Sequence, residues 1–266
     1  MEKFKDMEVV ILCGGKGTRL SEETITRPKP MVEIGGMPIL WHIMKLYSSY
    51  GYKKFILALG YKANFIKEYF YNLRISGSDF TLKMSPNDNP IFYNELPESD
   101  WEITFVDTGE ETLKGARVKK IEKFVKSDNF LLTYGDGISD VDISKLVEFH
   151  ISGGQIATVT AVHPPSRFGE MELDGNKVIN FEEKPQMATG YINGGFFVFN
   201  KKIMNYLIED EDCDLEFGAL QKISEEGELR AFIHNDFWQC MDNVRERDYL
   251  DGLVKKNKAP WIKIKK

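Results

Sequence analysis

Val9-Val10-Ile11-Leu12-Cys13-Gly14-Gly15-Lys16-Gly17-Thr18-Arg19-Leu20 stands near the start of the chain, and Arg27-Pro28-Lys29-Pro30 follows within ten residues. The apolar run is too short for a membrane span or a signal peptide. It reads as a buried first strand that runs into a glycine-rich turn. Gly14, Gly15 and Gly17 let main-chain N–H groups approach a phosphate chain, and Lys16 and Arg19 add charge to the same turn. The spacing is not the Gly-x-Gly-x-x-Gly of dinucleotide folds, and no Gly-Lys-Ser/Thr follows, which excludes the nucleoside-triphosphatase loop. Lys29, held between two prolines, is presented on a stiff backbone. One positive charge about 4 Å from a phosphate oxygen is worth roughly 4 kcal/mol at an effective dielectric near 20. Arg19 and Lys29 are therefore expected to act together on one polyphosphate.

Downstream of this turn the apolar pattern alternates between the helical and the extended period. Ile39 to Tyr50 and Phe65 to Leu73 read as helices, and Lys53 to Leu59 between them as a buried strand. Further strands are expected at Ile103 to Val106, Phe130 to Tyr134 and Ile156 to Val162, with helices near Gly115 to Val125 and Ile143 to His150. The pattern predicts an α/β, Rossmann-like sheet, mixed but mostly parallel, with helices on both faces. From Phe168 to Phe199 short strands around Met171, Val178 and Phe196 suggest a small antiparallel insertion over the ligand face. Helices at Leu215 to Glu225 and Val244 to Lys255, around a strand at Leu229 to Ile233, close the pattern. The 266 residues, without a linker or an internal repeat, read as a single domain over 1–266, with a core of about 8–165 and 200–258 and the insertion at about 166–199.

The formal net charge of −6 argues against a nucleic-acid surface, so a small anionic substrate must be met by a local group of cations. Three cysteines without metal-like spacing fit a reduced, cytoplasmic setting, and four scattered histidines make zinc a poor fit. Ligands in open α/β sheets sit beyond the carboxyl ends of the strands. The ends at Gly14-Gly15, at Tyr134-Gly135-Asp136-Gly137 and at Glu182-Glu183-Lys184-Pro185 are therefore expected to face one pocket. Asp136 and Asp242 are a candidate carboxylate pair for Mg²⁺, although Asp242 is placed equally well to cap the last helix. Lys184 is a candidate for a second phosphate, and Glu183 with Asn193 for hydroxyl groups. Asn193-Gly194-Gly195 marks a close backbone approach, either to a ligand or to a neighbouring strand.

Together these motifs resemble the sugar-phosphate nucleotidyltransferases: a Gly-Gly-x-Gly-Thr-Arg-Leu loop, then Pro-Lys-Pro, then Gly-Asp after a central strand, then Glu-Lys-Pro, all in order. The similarity extends to Lys29-Pro30-Met31-Val32-Glu33-Ile34-Gly35-Gly36, Val106-Asp107-Thr108-Gly109, Arg167-Phe168-Gly169 and Lys258-Ala259-Pro260-Trp261. It implies in-line attack of a sugar phosphate on the α-phosphorus of a nucleotide, with CTP and glucose 1-phosphate as the substrates and a product bound for dideoxysugar or surface-polysaccharide synthesis. UTP, dTTP, another sugar or polyol phosphate, or a binding subunit without catalysis are the alternatives. By this resemblance Leu12, Gly14, Gly15, Lys16, Gly17, Thr18, Arg19 and Lys29 hold the nucleotide, with Arg19 and Lys29 catalytic. Asp136 and Asp242 hold Mg²⁺, with Gly135 beside it. Thr112 and Arg117 lie near the nucleotide, and Glu183, Lys184 and Asn193 lie in a sugar-binding insertion. A homo-oligomer is implied as well, and the polar stretch from Asn72 to Trp101 is a candidate for reaching a neighbouring subunit. The chain departs from the family pattern at Cys13 for alanine, at Lys114-Gly115-Ala116-Arg117 for Thr-Gly-Gly-Arg, and at Gln239-Cys240-Met241 for Gln-Pro-Met.

Overall fold

The first strand is where the sequence reading is most direct: Val9, Ile11 and Cys13 point into one apolar cluster, while Val10 and Leu12 point into another. A strand buried on both faces belongs inside a parallel sheet with helices on either side. The computed structural model describes residues 4–85, 89–164, 170–182 and 190–262. In chain order its strands are β1 (Val9–Cys13), β2 (Glu33–Ile34), β3 (Met37–Pro38), β4 (Lys54–Leu59), β5 (Phe80–Thr81), β6 (Ile91–Phe92), β7 (Glu102–Asp107), β8 (Asn129–Tyr134), β9 (Gly137–Ser139), β10 (Ala157–Val162), β11 (Glu170–Asp174), β12 (Lys177–Glu182), β13 (Ile192–Asn200), β14 (Leu229–His234) and β15 (Trp238–Cys240). The helices are α1 (Ser21–Thr24), α2 (Ile39–Ser49), α3 (Ala63–Gly77), α4 (Lys114–Lys120), α5 (Ile143–Gly153), α6 (Gln221–Glu225) and α7 (Val244–Lys255).

Seven strands form the central sheet in the order β14-β10-β13-β8-β1-β4-β7. All of its pairings are parallel except those of β13, which is antiparallel to both β8 and β10. The mixed, mostly parallel sheet expected from the pattern is thus present. One boundary differs: the expected insertion ended at 199, but Ile192–Asn200 is a central strand whose Phe196 to Phe199 are fully buried. Among the described residues of that region, β11 and β12 form a separate hairpin. The run Phe196-Phe197-Val198-Phe199 feeds both cores alternately, and that is why it cannot lie on the surface. The Asn72–Trp101 stretch holds the end of α3 and the β5–β6 hairpin, with Arg74 stacked 4.0 Å from the centre of the Phe92 ring.

Two further expectations are refined. The helix expected at Gly115–Val125 is α4 followed by a 3-10 turn at Glu122–Phe124. The one expected at Leu215–Glu225 starts as a π-helix over Leu215–Leu220, whose cap Asp214 accepts from both Glu216 N and Phe217 N at 2.8 Å, before α6 takes over. Two of the buried histidines, His42 and His150, act as neutral ties. His150 links α5 to Thr158 Oγ1 on β10 at 2.9 Å and to Asn129 Oδ1 on β8 at 3.2 Å. Burial and the nearby Arg230 push its pKa down to about 4. Trp261 Nε1 donates to Nδ1 of the buried His42, whose Nε2 is 2.8 Å from Ile34 O.

Candidate active site

The turn after β1 leads directly to the cleft, because Leu12 O accepts from Gly135 N at 3.1 Å and so joins the carboxyl ends of β1 and β8. The cleft has a volume of about 1250 Å³. Leu12, Gly14, Gly15, Gly17, Thr18, Arg19, Lys29, Thr112, Arg117, Gly135, Asp136, Asn193 and Asp242 all line it. Two of the three strand ends expected to meet there do so. The third, with Glu183 and Lys184, lies outside the described residues, as does Arg167-Phe168-Gly169.

At its floor Lys29 is buried and its Nζ donates to Asp136 Oδ2 and to Asp242 Oδ1, each at 2.6 Å. Arg19, largely exposed, donates to the other Asp242 oxygen at 2.7 Å. Burial works against the Lys29 ammonium, but the two carboxylates outweigh it and hold its pKa above the usual lysine value. Burial likewise opposes the Asp242 carboxylate, and Lys29 and Arg19 outweigh it to hold that pKa down. Gly17 makes this possible in two ways. Its φ of +63° is a left-handed conformation, and a Cβ there would stand 2.9 Å from Lys29 Cβ.

The two aspartates are brought together by a ribbon. Asp136 directly precedes β9, Asp242 lies two residues past β15, and Gly137 pairs with Cys240 across the two strands. Met241 N donates to Asp136 O at 2.9 Å and tightens the junction. The alternative that Asp242 caps the last helix does not hold: Asn243 is the cap, accepting from Glu246 N at 3.0 Å, and Glu246 Oε2 accepts from Asp242 N at 2.6 Å. The Asp242 carboxylate is left facing the cleft.

These two carboxylates already converge on one cationic point, and hard oxygen donors suit a Mg²⁺-like ion. Cys240, Asp242 and Glu246 also bring ligand atoms within 4.8 Å of one another. Burial and the Asp242 carboxylate push the Cys240 thiol up to about 12. A soft sulfur donor suits a hard cation less well than the two oxygen-donor aspartates do.

Not every expected residue has the part its type suggested. Lys16 does not line the cleft, and its ammonium pairs with the exposed Glu111. Arg117 lines the wall, but its two terminal nitrogens are committed. NH1 donates to Gly109 O and Thr108 Oγ1 at 2.7 Å and to Leu59 O at 3.1 Å, while NH2 donates to Gly14 O and Glu110 O at 3.1 Å. Gly14 lacks a side chain for the same reason, since a Cβ there would stand 2.0 Å from Arg117 NH1. Arg117 thus braces the glycine-rich loop from behind. Thr112, also buried, gives its hydroxyl to Thr108 O at 2.7 Å.

On the opposite wall, Gly194 and Gly195 are there for neighbouring strands: a Cβ on the first would meet Val162 at 2.8 Å, and one on the second would meet the Tyr134 ring at 2.6 Å. Tyr134, part of a strand end expected to face the pocket, lines it, whereas Trp238, Gln239, Lys114, Arg245 and Tyr249 line it without having been expected there. For Trp238 the one signal was its place next to Gln239.

Residues 8–245 match the family model described as nucleotidyl transferase. A glucose-1-phosphate cytidylyltransferase of Salmonella typhi is 48% identical over 256 residues, covering 96% of this chain and 98% of that protein. A mannose-1-phosphate guanylyltransferase catalytic subunit beta of Drosophila melanogaster is 30% identical, over 92% of this chain and 61% of that protein. The crystal structure of HddC from Yersinia pseudotuberculosis shares the fold, with a TM-score of 0.63 and 24% identity, covering 92% of this chain and 98% of that one. A glycine-rich loop, two cations and two convergent carboxylates in one cleft have their counterpart in a match along nearly the whole sequence, and the chain belongs to the nucleotidyl transferase family.

Proposed function

We propose that this chain transfers a cytidylyl group from CTP to α-D-glucose 1-phosphate, giving CDP-glucose and pyrophosphate. The substrate pair is that of the Salmonella typhi relative's name, and 48% identity over 96% of the chain supports carrying it across. The observation that carries the reaction class is the position of Lys29 between Asp136 and Asp242, with Arg19 on the outer oxygen. In an in-line displacement between two polyanions the protein neutralises charge and aligns the reacting oxygen with phosphorus. Nucleotidyltransferases use a divalent metal, and Asp136 and Asp242 are the residues that would hold Mg²⁺ here. When bound, that ion would neutralise phosphate charge next to the attacked phosphorus.

Lys29, displaced from one or both carboxylates, would turn its ammonium to the α-phosphate, and Arg19 would reach the leaving pyrophosphate. The main-chain N–H groups around Gly14, Gly15, Gly17 and Thr18 would receive the phosphates, with Leu12 beneath the nucleotide. Gly135 would keep space beside the cation site, and Thr112 would close the nucleotide wall. Asn193, with Glu183 and Lys184, would read the sugar phosphate. Lys16, paired with Glu111, has no direct part in this reading, and Arg117 acts by holding the loop. A cytoplasmic homo-oligomer completes the proposal, in keeping with three free cysteines. Among the described residues no helix is long and apolar enough to cross a membrane.

Pyrophosphate release measured across four nucleoside triphosphates and several sugar phosphates, with Mg²⁺ present, tests the assignment. CTP with glucose 1-phosphate is expected to be the fastest pair. A faster pair elsewhere in the matrix, such as GTP with mannose 1-phosphate, would replace the substrates while keeping the chemistry.

A further inference from the structure

Glu216 plays no part in the reaction as described, yet its carboxylate is the meeting point of the two walls of the cleft. Tyr134 Oη donates to Glu216 Oε1 at 2.5 Å, and Lys114 Nζ pairs with the same oxygen. Asn193 Nδ2 donates to Tyr134 Oη at 3.1 Å, while Asn193 Oδ1 accepts from Gly195 N at 2.8 Å. Lys114 lies over the Tyr134 ring, 5.1 Å from its centre. The other carboxylate oxygen of Glu216 is buried without a hydrogen-bond partner.

This is an ordered relay with a defined direction. A carboxylate can only accept, so at 2.5 Å the Tyr134 hydroxyl must donate its hydrogen bond to Glu216. The lone pairs of Oη are then what Asn193 can use, which fixes one amide hydrogen on Tyr134. With Oδ1 held by Gly195, the Asn193 amide cannot flip without losing both bonds. The support under Glu216 is itself rigid. The π-turn is capped by Asp214 and fixed to the start of α4 by Ala116 N to Cys213 O at 3.0 Å and Leu113 N to Glu211 O at 2.8 Å. A Cβ on Gly115 would stand 2.7 Å from Cys213 O, so the two segments lie in direct contact. On the far side, β13 carries an irregularity between the Val159–Phe197 and Ala161–Asn193 pairings, which re-aims Asn193.

We propose that Glu216 is a positioning residue: acting through Tyr134, and held by Lys114, it sets the amide of Asn193 in the orientation that recognises the hydroxyl groups of the sugar phosphate. The inference rests on the reading of Asn193 as a sugar contact, which gives the experiment its reference. KM for glucose 1-phosphate, KM for CTP and kcat are measured for Asn193→Ala, Tyr134→Phe, Glu216→Gln and Glu216→Ala. Tyr134→Phe keeps the ring packed on Phe197, 5.7 Å away, and removes only the relay. For Tyr134→Phe and Glu216→Ala, KM for the sugar phosphate is expected to rise about tenfold, a loss of about one good hydrogen bond. KM for CTP stays within about twofold, and Glu216→Gln, which still accepts from Tyr134, falls in between.

A merely structural Glu216 would move both KM values and the melting temperature together, and that pattern overturns the proposal. If Asn193→Ala raises KM for the sugar phosphate while Tyr134→Phe and Glu216→Ala do not, the relay fails and the sugar contact stands. If Asn193→Ala itself changes nothing, both fail.

Discussion

The cationic loop and the carboxylate pair face each other across a few ångströms and are built in opposite ways. The loop is local: Gly14 to Lys29 is one stretch of chain whose backbone conformation, at Gly17, and whose brace, Arg117, serve a shape already written in consecutive residues. The carboxylate pair is not local at all. Asp136 and Asp242 share a floor only because β9 and β15 find each other, and neither carries any mark of that pairing in its own neighbourhood. A local device can be read and altered piecemeal, whereas a long-range one stands or falls with the pairing that makes it.

Removing the one residue that touches both devices has the largest expected effect. Lys29→Met is expected to reduce kcat by about 10³-fold in a pyrophosphate-release assay. It also leaves two carboxylates facing one another, so its melting temperature is expected to fall without divalent cation and to recover with Mg²⁺ by more than the wild type gains. A variant with wild-type turnover would remove Lys29 from the chemistry.

Breaking the brace releases the loop at Gly14 from the ends of β4 and β7, which Arg117 ties to it. Arg117→Met removes five hydrogen bonds, although Gly14 O keeps Tyr61 N and Leu59 O keeps the Thr108 N–H and hydroxyl, and urea denaturation is expected to show a loss of about 2–3 kcal/mol. Were the protein unchanged in stability, the bracing role would be wrong.

The third prediction tests the half of the sheet away from the loop. His150 has its pKa lowered to about 4, so between there and its unfolded value near 6.5 the unfolded chain binds a proton that the folded chain does not. Stability from this group is therefore complete above about pH 6.5 and is lost as the pH falls toward 4, by about 2–3 kcal/mol. His150→Gln should be less stable at pH 7 yet lose less between pH 7 and 5 than the wild type, as read by urea denaturation at both pH values. Equal losses would place the acid sensitivity elsewhere. The smallest effect is expected from Lys16→Ala, with the melting temperature unchanged and KM for CTP within about twofold. A large rise in KM would show that Lys16 leaves Glu111 for the nucleotide.

The same division explains what could be read from the sequence. The alternating strands and helices, the loop and the flanked Lys29 were legible because each is a property of adjacent residues. The strand Ile192–Asn200 reads as part of an insertion because turn signals and short strands precede it, whereas its apolar run serves both cores. Lys16 and Arg117 show a different limit. Residue type announces a cation, but only the fold shows whether its donors are already committed, to Glu111 in one case and to main-chain oxygens in the other. Sequence alone leaves Asp242 between cap and ligand; in the fold its neighbour Asn243 takes the cap.

The pairing of Gly137 with Cys240 also sets an order in time. At roughly 5–20 residues per second, a ribosome delivers the second strand of that ribbon roughly 5–20 seconds after the first. Throughout that interval the loop, Lys29 and Asp136 can already be in place while the second carboxylate has not yet been made. Lys29 therefore cannot be clamped between both aspartates until the chain has been delivered as far as Asp242.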